Sequence, residues 1–285
     1  MPPEIRFPHL GINISHLSET AFSLFGFSIK WYGVFIAIAV ITGLLVAVNE
    51  AKKSGQNENL YYDYFIIAVI VGIIGARIYY VIFSWQEYKN DLLKIFALRE
   101  GGLAIYGAVI AVVIWAVIFT KKKKYDFWLF VDTGIFGLII GQVIGRWGNF
   151  FNREVFGGFT NSFFAMQYRL DTVHAEIREQ IMDNLITYEG AQYIQVQPTF
   201  LYESLWNIGL FVILQIYKKH KAFTGEIFAL YLFGYGLGRF WIEGIRTDQL
   251  MIAGVPASQA LSLVFIILSA VFIAYKRISV KRKNS

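Results

Sequence analysis

Gly145-Arg146-Trp147-Gly148-Asn149-Phe150-Phe151-Asn152-Arg153-Glu154-Val155-Phe156-Gly157-Gly158 closes an apolar run that begins at Phe127. With Gly145 to Gly148 added, the run reaches across a bilayer, for which a helix needs about 20 residues. An arginine at the end of such a run costs a few kcal/mol if it faces lipid, so Arg146 must snorkel to the headgroups or face a polar cavity. Asn149, Asn152, Arg153 and Glu154 crowd the next turns, bracketed by glycines at 145, 148, 157 and 158. Glycine lets a backbone come close to a ligand or adopt dihedrals that other residues resist. An interfacial anchor needs only the arginine. Arginine, amide and carboxylate together at a membrane surface suit a phosphate-headed lipid.

The rest of the composition agrees with a polytopic membrane protein. Of 285 residues, 56% are hydrophobic and only 16% charged, where soluble domains carry about 25% charged residues. The absence of cysteine excludes disulfides, thiolate metal sites and a cysteine nucleophile, so any thiol in the chemistry comes from a partner. The net charge of +6 does not imply nucleic-acid binding, because the basic residues sit in short loops where they set membrane orientation. The first 20 residues lack the basic start and apolar core of a signal peptide.

Working outward, the hydropathy pattern predicts an all-α membrane protein of about seven transmembrane helices, near 29–49, 62–84, 103–120, 127–148, 199–217, 225–244 and 257–275. Fourteen Lys and Arg fall in the short loops and tail of one side, and nine on the other, spread over longer segments and including Arg99 and Arg178. The positive-inside rule then places the N-terminus outside, the C-terminus in the cytoplasm, and the glycine-rich stretch at the outer face. The long loop 149–198 mixes polar and aromatic residues and predicts a small extracytoplasmic head of strand and helix between spans four and five. Within it, Ile177, Ile181 and Leu185 share one face of a predicted helix over 175–185. The whole chain reads as one membrane domain with this insertion. Gly137, Gly141 and Gly145 recur every four residues, a helix-packing pattern.

Charges inside other spans point to a site. Arg77, in Gly75-Ala76-Arg77-Ile78-Tyr79-Tyr80, either forms a structural ion pair or contacts a ligand. Glu203, in Pro198-Thr199-Phe200-Leu201-Tyr202-Glu203, either answers the helix dipole near its N-terminus or acts as a base. Tyr235, Arg239, Glu243 and Arg246 fall within a sector of about 80° on one helix. There, two arginines share one glutamate, which leaves a positive charge over among Gly234, Gly236 and Gly238. Arg146 and Arg239 both lie near the outer end of a span. Two such arginines can hold one phosphate or stabilise it as it departs.

These residues together resemble the prolipoprotein diacylglyceryl transferase family. The resemblance rests on Gly145 to Gly157, Gly101-Gly102-Leu103-Ala104-Ile105-Tyr106-Gly107, Trp31-Tyr32-Gly33, Pro198 to Glu203, and the Tyr235 to Arg246 stripe, which recur in the family's order along nearly the whole chain. It implies a multi-pass enzyme of the bacterial plasma membrane. Such an enzyme moves the diacylglyceryl group of phosphatidylglycerol to the lipobox cysteine of a preprolipoprotein signal peptide, forming a thioether and releasing glycerol phosphate. The substrate's thiol would answer the lack of cysteine here. By matching position, Arg146 and Asn149 would hold the headgroup and Gly157 would shape the site. Arg239 would stabilise the leaving phosphate, Glu154, Glu243 and Arg246 would complete the polar network, and Tyr32 and Tyr235 would line the cavity. One position departs: many family members carry histidine where Tyr106 stands. Either Tyr106 acts beside an arginine, or Glu154, Glu203 or Glu243 takes the thiol proton, or the thiol arrives partly ionised in the cationic field.

No cofactor, metal or nucleotide is implied, since no His and carboxylate cluster has ligand spacing and the glycines lack a Gly-Lys-Ser/Thr ending. The main alternative is a transporter of organic anions, which also uses interior arginines and glycine-broken helices. Against it, the chain has no internal repeat and its charges gather toward one face.

Overall fold

The computed structural model describes residues 2–98, 101–173, 185–252 and 254–284. Seven long helices are found among them: α1 (Trp31–Lys53), α2 (Asn59–Phe83), α3 (Ile105–Lys122), α4 (Phe127–Phe151), α5 (Thr199–Tyr217), α6 (Glu226–Ile245) and α7 (Ala257–Asn284). Each grows from one predicted apolar run, and α1, α3 and α7 carry lysine or arginine in the last turn, where the helix dipole favours cations. Six of the seven are long and apolar enough to cross a membrane. The exception is α6, which carries Glu226, Arg239 and Glu243 within 20 residues.

The chain divides into two compact units, Leu44–Gly134 and the remainder. In the smaller unit α2 packs on α3 through facing glycines. A Cβ at Gly75 would meet the Gly107 carbonyl oxygen at 2.7 Å. An aromatic cluster of Tyr61, Tyr64, Phe119 and Phe130 fills the other end of this unit, where the Tyr61 and Tyr125 hydroxyls both donate to Gln56.

In the larger unit the glycine stripe of α4 faces α1, as its spacing predicts. A Cβ at Gly43 would lie 2.8 Å from the Gly137 oxygen, one at Gly141 3.4 Å from the Ala39 oxygen, and one at Gly148 3.0 Å from the Tyr32 ring. The glycines of α6 also serve packing: Gly234 takes the Leu210 side chain, Gly236 the Ile266 side chain, and Gly238 the Trp206 indole. Trp206 donates to the Gly234 carbonyl at 2.9 Å.

A five-stranded antiparallel sheet stands at the C-terminal end of α4 and the N-terminal end of α5. Its order is β2 (Ile12–Ile14), β1 (Ile5–Phe7), β5 (Met166–Arg169), β7 (Ala191–Val196) and β6 (Leu185–Tyr188). Three of its strands come from the predicted head, and two from N-terminal residues that carry no strand signal of their own length. Alternation sorts its faces. Ile5, Tyr168 and Ile194, paired across β1, β5 and β7, are buried against Phe150 of α4 and Phe200 of α5. Arg6, Gln167 and Gln195 pair in register on the other face, with Arg6 donating to Gln167 at 3.0 Å and Gln167 to Gln195 at 2.7 Å. The helix predicted over 175–185 lies outside the described residues except for Leu185, which opens β6. Two hairpins complete the unit: β3 (Thr20–Leu24) with β4 (Phe27–Lys30), and β8 (Met251–Ile252) with β9 (Val255–Pro256).

Candidate functional site

Arg146, Glu203 and Arg239 stand on three different helices and meet. Arg146 lies near the C-terminal end of α4, Glu203 near the start of α5, and Arg239 near the C-terminal end of α6. Glu203 Oε2 pairs with Arg146 Nη2 at 2.7 Å, and Glu203 Oε1 accepts from Arg239 Nη1 at 3.0 Å. Arg239 Nη2 reaches Glu243 Oε2 at 2.6 Å, and Arg246 Nη1 lies 3.7 Å from the same oxygen. The Arg246 fork then grips Asp248, with Nε to Oδ1 at 3.0 Å and Nη2 to Oδ2 at 2.8 Å. Glu203 and Glu243 are buried, at 4% and 2% exposure.

The charge count within one helix therefore changes in three dimensions. The cation left over on the Arg239–Glu243–Arg246 stripe is matched, because Glu203 joins from α5 and Asp248 from the following loop. Burial works against the Arg246 charge, but Asp248 and Glu243 outweigh it, so its guanidinium is held more firmly protonated than usual. Glu203 lies beyond the first turn of α5 and bridges two guanidiniums. Among the described residues Arg146 makes this one ion pair and keeps a partly exposed side chain, so the rest of its fork is available to an anion.

The signature stretch is shaped by the backbone. Arg153 and Val155 take φ of +51° and +58°, strained for a β-branched residue. The Thr199 hydroxyl holds this turn by donating to the Val155 carbonyl. Gly157 bridges to Arg246 and donates its N–H to the Gln197 carbonyl at 2.9 Å. A Cβ there would meet the Ile245 oxygen at 2.8 Å and the Gln197 side chain at 2.9 Å, so only glycine lets these three segments converge. Arg153 is not part of the ion-pair chain. Its Nη2 binds Glu4 at 2.5 Å and the Leu17 carbonyl at 2.7 Å, and pins the N-terminal strands. Burial pushes the Glu4 carboxyl up, but the Leu17 N–H, His16 and Arg153 outweigh it and hold it below the usual carboxylate range.

Asn149 and Glu154 form a neighbouring pair: Asn149 Nδ2 donates to Glu154 Oε1 at 2.9 Å, and Asn152 Nδ2 approaches the same oxygen at 3.3 Å. Tyr32 packs on Gly148 and lies within electrostatic reach of both Glu154 and Arg146. Tyr235 lines a small cleft with Glu203, Trp206, Asn207 and Arg239. Ser258 of α7 accepts from Arg239 at 3.4 Å.

Two predicted residues belong to the smaller unit. Arg77 spends its donors on carbonyls: Nε on Ile95 at 2.8 Å, Nη1 on Gly101 at 2.7 Å and Gly102 at 2.9 Å, and Nη2 on Lys94 at 2.6 Å. These contacts clamp the loop that leads into the Gly101–Gly107 motif. Tyr106 stands in the first turn of α3, with its ring centroid 6.4 Å from that of Tyr79. Sequence reading overlooked Asn207, Gln142 and Asp248. The signal for the first two was present: each is a polar residue in an apolar run, four positions from a site charge. Among the described residues no group of three or more His, Asp or Glu could hold a metal ion.

A family model described as prolipoprotein diacylglyceryl transferase matches residues 19–275. A phosphatidylglycerol–prolipoprotein diacylglyceryl transferase of Listeria monocytogenes is 45% identical over 269 residues, covering 94% of this chain and 93% of the relative. One of Clostridioides difficile is 40% identical over 269 residues, covering 94% of this chain and 98% of the relative. One of Oceanobacillus iheyensis is 41% identical over 269 residues, covering 94% of this chain and 91% of the relative.

Proposed function

The chain belongs to the prolipoprotein diacylglyceryl transferase family, and from that premise we propose that it transfers the diacylglyceryl group of phosphatidylglycerol to prolipoprotein, at the lipobox cysteine. The Arg146–Glu203–Arg239 junction carries this reading. It joins two guanidiniums, from α4 and α6, through a buried carboxylate of α5 at one end of the bundle, with the Arg146 side chain partly exposed to a ligand. The family match leaves the anion transporter without support.

In the reaction, the cysteine sulfur bonds to the terminal glycerol carbon of the diacylglyceryl group, and the bond from that carbon to the phosphate oxygen breaks. The departing glycerol phosphate takes the electron pair, and the thiol proton passes to a base. Arg146 grips the phosphate in the ground state. Arg239, already oriented by Glu203 and Glu243, faces the charge that grows as the phosphate leaves. Preorganised charges of this kind cost no reorganisation during the step. Glu203 and Glu243 serve as orienters, because their oxygens are already engaged by guanidiniums. Glu154 accepts the thiol proton. Its hydrogen bonds come from neutral amides, and Asn149 holds it in place.

The topology follows from the charge bias. All seven helices, α6 included, cross the bacterial plasma membrane, with the N-terminus and sheet outside and the C-terminus in the cytoplasm. In α6 the charges face helix neighbours, which accounts for a span of weaker apolarity. The membrane helices and the sheet act as one domain, with 149–198 as its outer head.

The test is transfer by purified protein in detergent, with phosphatidylglycerol and a lipobox peptide, beside a Cys→Ser peptide. A diacylglyceryl-sized mass gain on the cysteine peptide alone, with glycerol phosphate release, is the expected outcome. No gain from folded protein that binds the lipid would overturn it.

A further inference from the structure

Beneath the charged junction lies a second polar layer that the reaction scheme does not use. Asn207 follows Glu203 by four residues on α5, and Gln142 precedes Arg146 by four on α4. Tyr235 precedes Arg239 by four on α6. The charges stand near the C-terminal ends of α4 and α6 and near the N-terminal end of α5. All three steps therefore lead the same way, about 6 Å deeper into the bundle at the helical rise.

This layer is short of partners. Asn207 is 2% exposed and its Oδ1 has no hydrogen-bond partner, yet it lines the cleft with Glu203, Tyr235 and Arg239. Gln142 donates to the Tyr231 hydroxyl at 2.9 Å, and its Oε1 is also without a partner. Tyr231 stacks on Tyr235 with ring centroids 5.5 Å apart. A buried polar side chain without a partner is destabilising and rare, and calls for a reason. An amide presents both an N–H2 donor and an oxygen, and a half-turn exchanges them.

Taking this cleft as the lipid site of the proposed transferase, we propose that Asn207 is a positioning residue that donates its amide N–H to an ester carbonyl of the lipid. In a glycerophospholipid whose phosphate sits at Arg146 and Arg239, the ester carbonyls follow a few bonds further toward the acyl chains. That is the direction and depth of Asn207. Both esters belong to the group that is transferred, so this bond holds the diacylglyceryl unit while the phosphate departs. It also makes the site selective for ester lipids over ether lipids of the same headgroup.

The experiment compares diester phosphatidylglycerol with its dialkyl ether analogue, using the full-length protein in detergent, for wild type, Asn207→Leu and Asn207→Ala. Wild type is expected to show a KM about tenfold lower for the ester, the worth of one hydrogen bond. Asn207→Leu is expected to raise the ester KM to that of the ether, with kcat and all ether constants little changed. Asn207→Ala carries the same comparison if the leucine variant does not fold. Equal constants for both lipids in wild type would overturn the assignment. So would equal losses on both lipids in the variants, the mark of packing or of a bridging water. A rise in the peptide KM alone would also overturn it and hand the amide to the peptide. Failure of the transferase reading is separate: wild type would transfer from neither lipid, and the same ester–ether contrast in equilibrium lipid binding would then decide for or against Asn207.

Discussion

Arg146 and Arg239 divide the work because their surroundings differ. Among the described residues Arg239 has Glu203, Glu243 and Ser258 around it and is largely buried, whereas Arg146 pairs with Glu203 and is partly exposed. Removing Arg239 leaves Glu203 to Arg146 and Glu243 to the longer Arg246 contact, so Arg239→Ala should lower both the thermal midpoint and turnover. Arg146→Lys is the cleaner probe, since it keeps the charge and loses the planar fork. Its thermal midpoint should stay near wild type while kcat/KM falls by about a hundredfold, the scale of losing a preorganised donor. Full activity would mean that a point charge suffices. Glu4 makes a different prediction. Its folded pKa is depressed, so its contribution to stability is complete above the unfolded value of about 4.3 and is lost as pH falls through the folded value. The stability margin of wild type over Glu4→Gln should therefore hold near neutrality and shrink below about pH 4, read as thermal midpoints across pH. A margin independent of pH would remove the Glu4–Arg153 pair as its source.

At the scale of elements, glycine decides how closely helices approach, and thereby where the arginines meet. Gly43 of α1 faces the Gly137 carbonyl of α4, and a Cβ would stand 2.8 Å from that oxygen. Gly43→Val should force the two helices apart and cost about 1–3 kcal/mol, the usual range for overpacking. An unchanged thermal midpoint would show that the pair yields easily. Gly157 is the tighter case, because backbone and side chain both press on it. Gly157→Ala should lower turnover more than stability, since it displaces the strand-like contact with Arg246 at the edge of the site. Activity at the wild-type level would separate Gly157 from the chemistry.

For the whole molecule, the decisive question is which end of the bundle faces the substrate's side of the membrane. The chain has no cysteine, so single cysteines report topology without background. Phe25, at the tip of the β3–β4 hairpin, is 92% exposed, and Lys122 closes α3 on the lysine-rich side. In intact cells an impermeant maleimide should label Phe25→Cys and spare Lys122→Cys until the cells are opened. The reverse pattern would invert the topology and place the arginine junction at the cytoplasmic face.

Membrane residence, the positions of the helices and the identity of the arginines were legible in the linear chain. Hydrocarbon thickness and the cost of buried charge act on each stretch of about 20 residues by itself. The packing role of Gly137, Gly141 and Gly145 was legible for the same reason, since helical spacing is a local rule. Only the tertiary structure decided the partners. Glu203 became the bridge between two arginines, Asp248 balanced Arg246, Arg77 closed on carbonyls, and the N-terminal residues completed the sheet. Each of those outcomes depends on groups 17 to 167 positions apart or on a loop beyond the helix end, and no local period encodes which distant side chain will satisfy a buried charge.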